Sequence, residues 1–175
     1  TFKVYQLPAG INLNIFNNNA DRISMANIAQ IVNVLQSVIL TNGHEMVKTP
    51  TYHVFNMYNV HQDANLIPIA FETENYEHNG DSIPALTASA SEKNGITSIT
   101  LTNANPKKAI AINLQFGKEF KSANGKIITA KEITDYNDFG KNEKVFISDF
   151  KIGKIKNGTL EIEVPPHSVI LLQVQ

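Results

Sequence analysis

The feature that most constrains this chain is the period-two alternation that runs through its second half. Leu86, Ala88 and Ala90 alternate with Thr87, Ser89 and Ser91, and Ile99 and Leu101 alternate with Thr100 and Thr102. Ile110, Ile112, Leu114 and Phe116 do the same against small or polar neighbours, and Leu160, Ile162 and Val164 against Glu161 and Glu163. Successive side chains of a strand point to opposite faces, so this pattern predicts strands with one buried face. Turn signals punctuate them: Asn94-Gly95, Asn103-Ala104-Asn105-Pro106, Asn124-Gly125, Asn157-Gly158, and Pro165-Pro166 before the run Ser168–Leu172. Short strands at this spacing predict an antiparallel β-sandwich. Residues 131–150, with Asp135-Tyr136-Asn137-Asp138-Phe139-Gly140, read as a long loop.

The first part of the chain is different. Residues 1–62 hold two carboxylates, Asp21 and Glu45, three cations, Lys3, Arg22 and Lys48, and ten asparagines; the other fourteen acidic and twelve basic residues lie in 63–175. A stretch so poor in charge is expected to be buried on most sides, in a core or under a larger partner. Ile11, Leu13, Ile15 and Phe16 predict a helix within 9–22 that closes at Asn17-Asn18-Asn19. The apolar run Ile23–Leu40 fits a doubly buried parallel strand and fits a helix almost as well. Thr49-Pro50 is a helix start, because Thr caps and Pro is tolerated in the first turn. Val54, Phe55, Tyr58 and His61 then predict a short helix over about 51–62.

Fifteen Lys+Arg against sixteen Asp+Glu give a net charge of -1, which points at neither nucleic acid nor anionic lipid. No apolar run is long enough to cross a membrane, and the first residues lack the n-region and h-region of a signal peptide. A start at Thr1 rather than Met suggests a processed or trimmed product. With zero cysteines there is no disulfide scaffold, no Cys-ligated zinc and no thiol nucleophile, and either redox compartment is compatible. The histidines, His44, His53, His61, His78 and His167, lack the i, i+4 pairing of a helical metal site and read as structural; no metal or cofactor is expected. His61-Gln62-Asp63 reads as a helix C-terminus, where a cation is favoured. Neither a glycine-rich phosphate loop nor a serine nucleophile elbow is present.

Paired carboxylates require a test, since same-face strand residues lie ~7 Å apart, within the range glycosidases use. Glu161 and Glu163 alternate with apolar residues, which puts them on a solvent face. Glu72 and Glu74 would share a face if 66–77 were a strand, the weaker form of a self-sufficient hydrolase site. A stand-alone carbohydrate-binding sandwich is the alternative from another class. Against it stand zero Trp and five dispersed Tyr, although Tyr52 and Tyr58 share the short helix and Tyr136 sits in the loop.

The string Ala20–Thr41, containing Ser24-Met25-Ala26-Asn27-Ile28-Ala29-Gln30-Ile31-Val32-Asn33, resembles the end of the catalytic barrel in α-L-arabinofuranosidases of glycoside hydrolase family 51. Thr49–Gln62, Asn124–Ala130, Asp135–Phe139 and Pro165–Leu171 resemble the same family, so the likeness spans about 11–175. It implies a mainly β chain: an antiparallel, jelly-roll-like β-sandwich over 63–175, preceded over 1–62 by the last helix, last strand and a short helix of a (β/α)8 barrel. It implies a parent enzyme that removes terminal arabinofuranosyl groups from arabinan and arabinoxylan with retention of configuration, using two glutamates. Both glutamates lie upstream of the matched segment in that family, so this chain is expected to be a non-catalytic C-terminal region. The family tends to oligomerise, so a homo-oligomer is also implied. One substrate contact is expected here: Gln30 matches the family's last-strand glutamine, whose amide both donates to and accepts from sugar hydroxyls. Asn27 is the weaker candidate beside it, and Asn33 reads as a buried amide paired to backbone.

Overall fold

A computed structural model of the chain describes residues 6–28, 31–117, 119–120, 122–152 and 158–175. Helix α1 (Gln6–Asn18) opens the chain and a small ladder, β1 (Ile39–Asn42) with β2 (Glu45–Lys48), follows. Helix α2 (Pro50–Tyr58) continues into a 3-10 turn over Asn59–His61. The strands are β3 (Asn65–Ile67), β4 (Asn75–His78), β5 (Asp81–Pro84), β6 (Leu86–Lys93), β7 (Ile96–Asn103), β8 (Ile110–Gln115), β9 (Ala123–Thr129), β10 (Phe146–Asp149), β11 (Thr159–Val164) and β12 (Ser168–Val174).

The architecture is mainly β and antiparallel, as the alternation predicts. Six strands form one sheet in the order β10-β9-β12-β7-β6-β3, while β11 pairs with β8 and β4 with β5. The hairpin β6–β7 turns at Asn94 (φ 56) and Gly95 (φ 80), two left-handed residues that match the twist of the strands they join. Its register sets Ala88 opposite Leu101 and Ala90 opposite Ile99, so these four share a face. That face packs with Ile170 and Leu172 of β12 and Ile127 of β9 against Leu160, Ile162 and Val164 of β11. Glu161 and Glu163 point to solvent.

The other face of the sheet is also buried, which the alternation alone does not foretell. Its β9–β12 half is apolar: Ile128, Val169 and Leu171 meet Leu7 of α1 and Val54, Met57 and Tyr58 of α2. Its β6–β7 half is hydroxylated, and Ser89, Ser91, Thr100 and Thr102 lie buried beneath α1 and the 3-10 turn instead of facing water.

Other expectations are corrected. Helix α1 buries Leu7, Gly10 and Asn14, leaves Ile11, Leu13 and Phe16 half-buried, and exposes Ile15. It can lie so close because a Cβ on Gly10 would come within 2.5 Å of the Thr102 hydroxyl. Residues 23–28 and 31–38 form no helix or strand beyond a single parallel bridge, Val32 to Ile39. A buried parallel strand needs a paired neighbour along its length, and among the described residues this stretch has only the single bridge to Ile39. Asn124-Gly125 is no turn: both lie inside β9, where Gly125 admits the backbone of Phe150, whose oxygen a Cβ would meet at 2.9 Å. The hairpin turn at Asn79 (φ 52) and Gly80 (φ 91) joins β4 to β5, and the 66–77 stretch is broken between β3 and β4. Within 131–150, residues 146–149 are strand β10. Gly158 turns with φ 68, and Asn157 lies outside the described residues.

Candidate functional site

The segment that carries the candidate sugar contacts emerges from α1 and is hooked to the start of α2. Thr49 caps α2, its hydroxyl oxygen accepting from the Tyr52 N–H at 3.4 Å, with Pro50 in the first turn. The same hydroxyl reaches back to Ser37 O at 2.8 Å, and the Thr49 N–H donates to Val38 O at 3.0 Å. Residues 37–38 are thereby tied to the helix, and the N–H groups of Val38 and Ile39 both donate to Ile31 O at 3.1 Å.

Asn27 is exposed on the irregular stretch 23–28, and Gln30 lies outside the described residues. Asn33 adopts φ 57, and its side-chain oxygen accepts from the Thr41 N–H at 2.7 Å while its amide donates to Thr41 Oγ1 at 2.9 Å. The backbone pairing expected for Asn33 is present, but the residue is exposed rather than buried. Around this stretch the apolar side chains face outward: Met25 is 74% exposed, Leu35 70% and Ile31 60%, with Ile15, Val32 and Met46 also open. These exposed apolar side chains all fall within the first 46 residues.

Between α1 and the β6–β7 half of the sheet sits a polar cluster that the alternation hid. Asn14 Oδ1 receives three hydroxyls, from Thr100 at 2.8 Å, Ser89 at 2.9 Å and Tyr58 at 2.9 Å, and Asn14 Nδ2 donates to Thr87 Oγ1 at 3.1 Å. Tyr58 also reaches Gly10 O at 3.1 Å; full burial pushes its phenol up to about 12. His61 lies between Ser91 Oγ, 2.7 Å from Nδ1, and Thr100 Oγ1, 3.1 Å from Nε2. Burial pushes its pKa down to about 4, so it ends the helix as a neutral ring and not as the expected cation. The clue in the sequence was hydroxylated strand positions facing a helix rich in asparagine.

The remaining chemical candidates do not converge. Glu74 pairs with Lys108 at 2.7 Å on the surface, while Glu72 stands at the lip of an apolar cleft of about 1000 Å³. That cleft lies between the β6–β7 sheet and β8 and is walled by Ile67, Phe71, Ile99, Leu101, Ile112 and Phe116. His167 is structural, its ring nitrogens 3.1 Å from Pro106 O and 2.9 Å from Ala130 O. His53 is buried 3.7 Å from Glu143, and burial holds its pKa below the usual value. Among the described residues no group of three His, Asp or Glu is arranged to hold a metal ion, and no helix is long and apolar enough to cross a membrane. Tyr136 presents a half-open ring, whereas Tyr58 is buried and Tyr52 lies under the Lys48 ammonium at 5.2 Å.

The family described as "Alpha-L-arabinofuranosidase C-terminal domain" matches residues 6–168. An intracellular exo-α-L-arabinofuranosidase of Bacteroides ovatus is 44% identical over 170 residues, which are 95% of this chain and 33% of that protein. The crystal structure of the GH51 arabinofuranosidase from Xanthomonas axonopodis pv. citri superposes with a TM-score of 0.93 at 38% identity, over 97% of this chain and 35% of that one. A thermostable GH51 α-L-arabinofuranosidase from Thermotoga petrophila shares the fold with a TM-score of 0.81 at 23% identity, over 99% and 39% of the two chains. The chain thus spans about a third of the length of these relatives.

Proposed function

The chain belongs to the α-L-arabinofuranosidase C-terminal domain family, and from that premise we propose that it is the non-catalytic C-terminal region of a retaining α-L-arabinofuranosidase. In this reading the enzyme removes terminal arabinofuranosyl groups from arabinan, arabinoxylan and their oligosaccharides, and both catalytic glutamates belong to an upstream (β/α)8 barrel. Residues 1–62 are the end of that barrel and 63–175 the sandwich that supports it. Helices α1 and α2 are the part of 1–62 that joins the two, since both pack on the large sheet.

The observation that carries this reading is the exposure of Ile15, Met25, Ile31, Val32, Leu35 and Met46, all within the first 46 residues. Exposed apolar side chains in such number fit a surface that the upstream barrel of the longer enzymes would cover. Gln30 is then the group that orients the bound arabinose, donating to one hydroxyl and accepting from another, with Asn27 in a lesser role. Neither moves a proton.

Hydrogen exchange tests the reading directly. In the full-length enzyme the amides of 24–28 are expected to exchange slowly, because barrel strands pair with them, and in the 175-residue chain they are expected to exchange freely. Equal, fast exchange in both would overturn the proposed seat.

A further inference from the structure

Asn-Gly steps stand at 42–43, 79–80, 94–95, 124–125 and 157–158, the last partly outside the described residues. An asparagine before glycine is chemically labile, because glycine has no side chain to shield the backbone nitrogen that attacks the asparagine side-chain carbon. The five-membered ring closes only when that nitrogen swings to the side-chain face. It does so at an asparagine ψ of about −120°, the value at the first central position of a type II′ turn.

The four described steps differ in how firmly the joining peptide is held. Asn124-Gly125 lies within β9 and pairs along β12. Asn42 ends β1 opposite Glu45, so its carbonyl closes the two-residue loop of the β1–β2 hairpin. The other two are the central pairs of hairpin turns, with φ 56 and 80 at Asn94 and Gly95 and φ 52 and 91 at Asn79 and Gly80. Two positive φ values make each a type I′ turn, in which ψ of the asparagine is about +30° and the peptide between the pair bonds to neither strand. Flipping that peptide converts type I′ into type II′ and brings the nitrogen into place. At 94–95 the flip is opposed, because the Gly95 N–H donates to the Glu92 carboxylate at 2.8 Å, a charge-assisted bond that the flip breaks. Glu77 stands at the corresponding place two residues before Asn79, yet no such bond ties it to Gly80, whose N–H has no partner among the described residues. Both Asn79 and Gly80 are exposed.

We propose that Asn79 is a site of spontaneous modification. The Gly80 nitrogen bonds to the Asn79 side-chain carbon, the carbon–nitrogen bond of the side-chain amide breaks, and the displaced nitrogen leaves as ammonia with the Gly80 proton. Water then opens the succinimide at either carbonyl, leaving aspartate or isoaspartate at position 79. Isoaspartate adds a carbon to the main chain inside a two-residue turn, and either product sets a new negative charge beside Glu77 and Asp81. Among the described residues β4 and β5 pair only with each other, so this ladder loosens while the six-stranded sheet stays intact.

The experiment is peptide mapping by mass spectrometry of the 175-residue chain aged at mildly alkaline pH, folded and in urea, with its Glu92→Ala variant alongside. In the folded chain Asn79 is expected to deamidate at least about tenfold faster than Asn42, Asn94 or Asn124, whereas in urea the four rates are expected to agree within about threefold. Glu92→Ala is expected to raise the folded-state rate at Asn94 at least about fivefold and to leave Asn79 unchanged. An intact Asn79, equal folded-state rates at Asn79 and Asn94, or an Asn94 rate that Glu92→Ala does not change overturns the proposal. If Glu92→Ala does not fold, the order of rates in the unmodified chain, folded against unfolded, decides. No sugar enters these measurements, so their failure is distinguishable from failure of the arabinofuranosidase reading, which activity tests.

Discussion

Asn14 on α1 and Thr100 on β7, 86 residues apart in sequence, meet at 2.8 Å, with the Thr100 hydroxyl donating to the Asn14 side-chain oxygen. The contact is buried and shared with Ser89 and Tyr58. Replacing Asn14 by Leu removes the acceptor that three buried hydroxyls share, a loss of about 2–4 kcal/mol. Urea denaturation is expected to show it as a lowered midpoint, while Asn12→Ala, at an exposed position of the same helix, changes stability by less than about 0.5 kcal/mol.

Gly10 and Gly125 are both places where backbone closeness excludes a side chain. Gly10→Ala would push a methyl to 2.5 Å from the Thr102 hydroxyl, and Gly125→Ala one to 2.9 Å from Phe150 O. Each is expected to cost about 1–3 kcal/mol, read as a drop in Tm. Gly43, whose Cβ would meet nothing within 4 Å but whose φ is +59, is expected to cost about 1 kcal/mol through backbone strain alone.

The pH dependence of stability follows from His61. Its pKa falls from 6.5 unfolded to about 4 folded, so between those values the unfolded chain binds the extra proton and stability rises with pH. The contribution is complete above the unfolded value and lost as pH falls through the folded one. The shift is worth about 3 kcal/mol. His53, lowered by burial, acts in the same direction. The expected result is a lower urea midpoint at pH 4 than at pH 7, with a smaller difference in His61→Gln.

Asn137 closes the loop between β9 and β10. Its amide donates to Lys48 O at 2.9 Å and Val145 O at 2.8 Å, and its oxygen accepts from the N–H groups of Lys144 and Val145 at 2.9 Å. Asn137→Ala removes all four bonds, which is expected to cost about 2–3 kcal/mol. Limited proteolysis is expected to cut within 131–145 sooner than in the unmodified chain.

The strands were legible where each had its partners within this sequence. Ala88, Ala90, Ile99 and Leu101 alternate because one face must be buried, and the Asn94-Gly95 turn sets their register. Legibility failed where the cause was not periodic. Gly125 serves a close approach by Phe150 rather than a turn. Asn79-Gly80 carries the same signal as Asn94-Gly95 and joins β4 to β5, whereas the 66–77 stretch is broken between β3 and β4. The inward face of α1 is chosen by Gly10 and Asn14, which hydrophobic spacing cannot find. The apolar run Ile23–Leu40 fits a strand or a helix by pattern, and over 23–28 and 31–38 the described residues form neither beyond the Val32 to Ile39 bridge. Of the expected sugar contacts, Asn27 is exposed and Gln30 lies outside the described residues.

The central claim is that this chain supports catalysis without performing it. Release of nitrophenol from an aryl α-L-arabinofuranoside tests that most directly, with the full-length enzyme and the purified 175-residue chain assayed side by side. The account predicts turnover by the full-length enzyme and none by the chain. Turnover by the chain alone would contradict it and would turn attention to Glu72, Glu74 and the other carboxylates after residue 62, each replaced in turn.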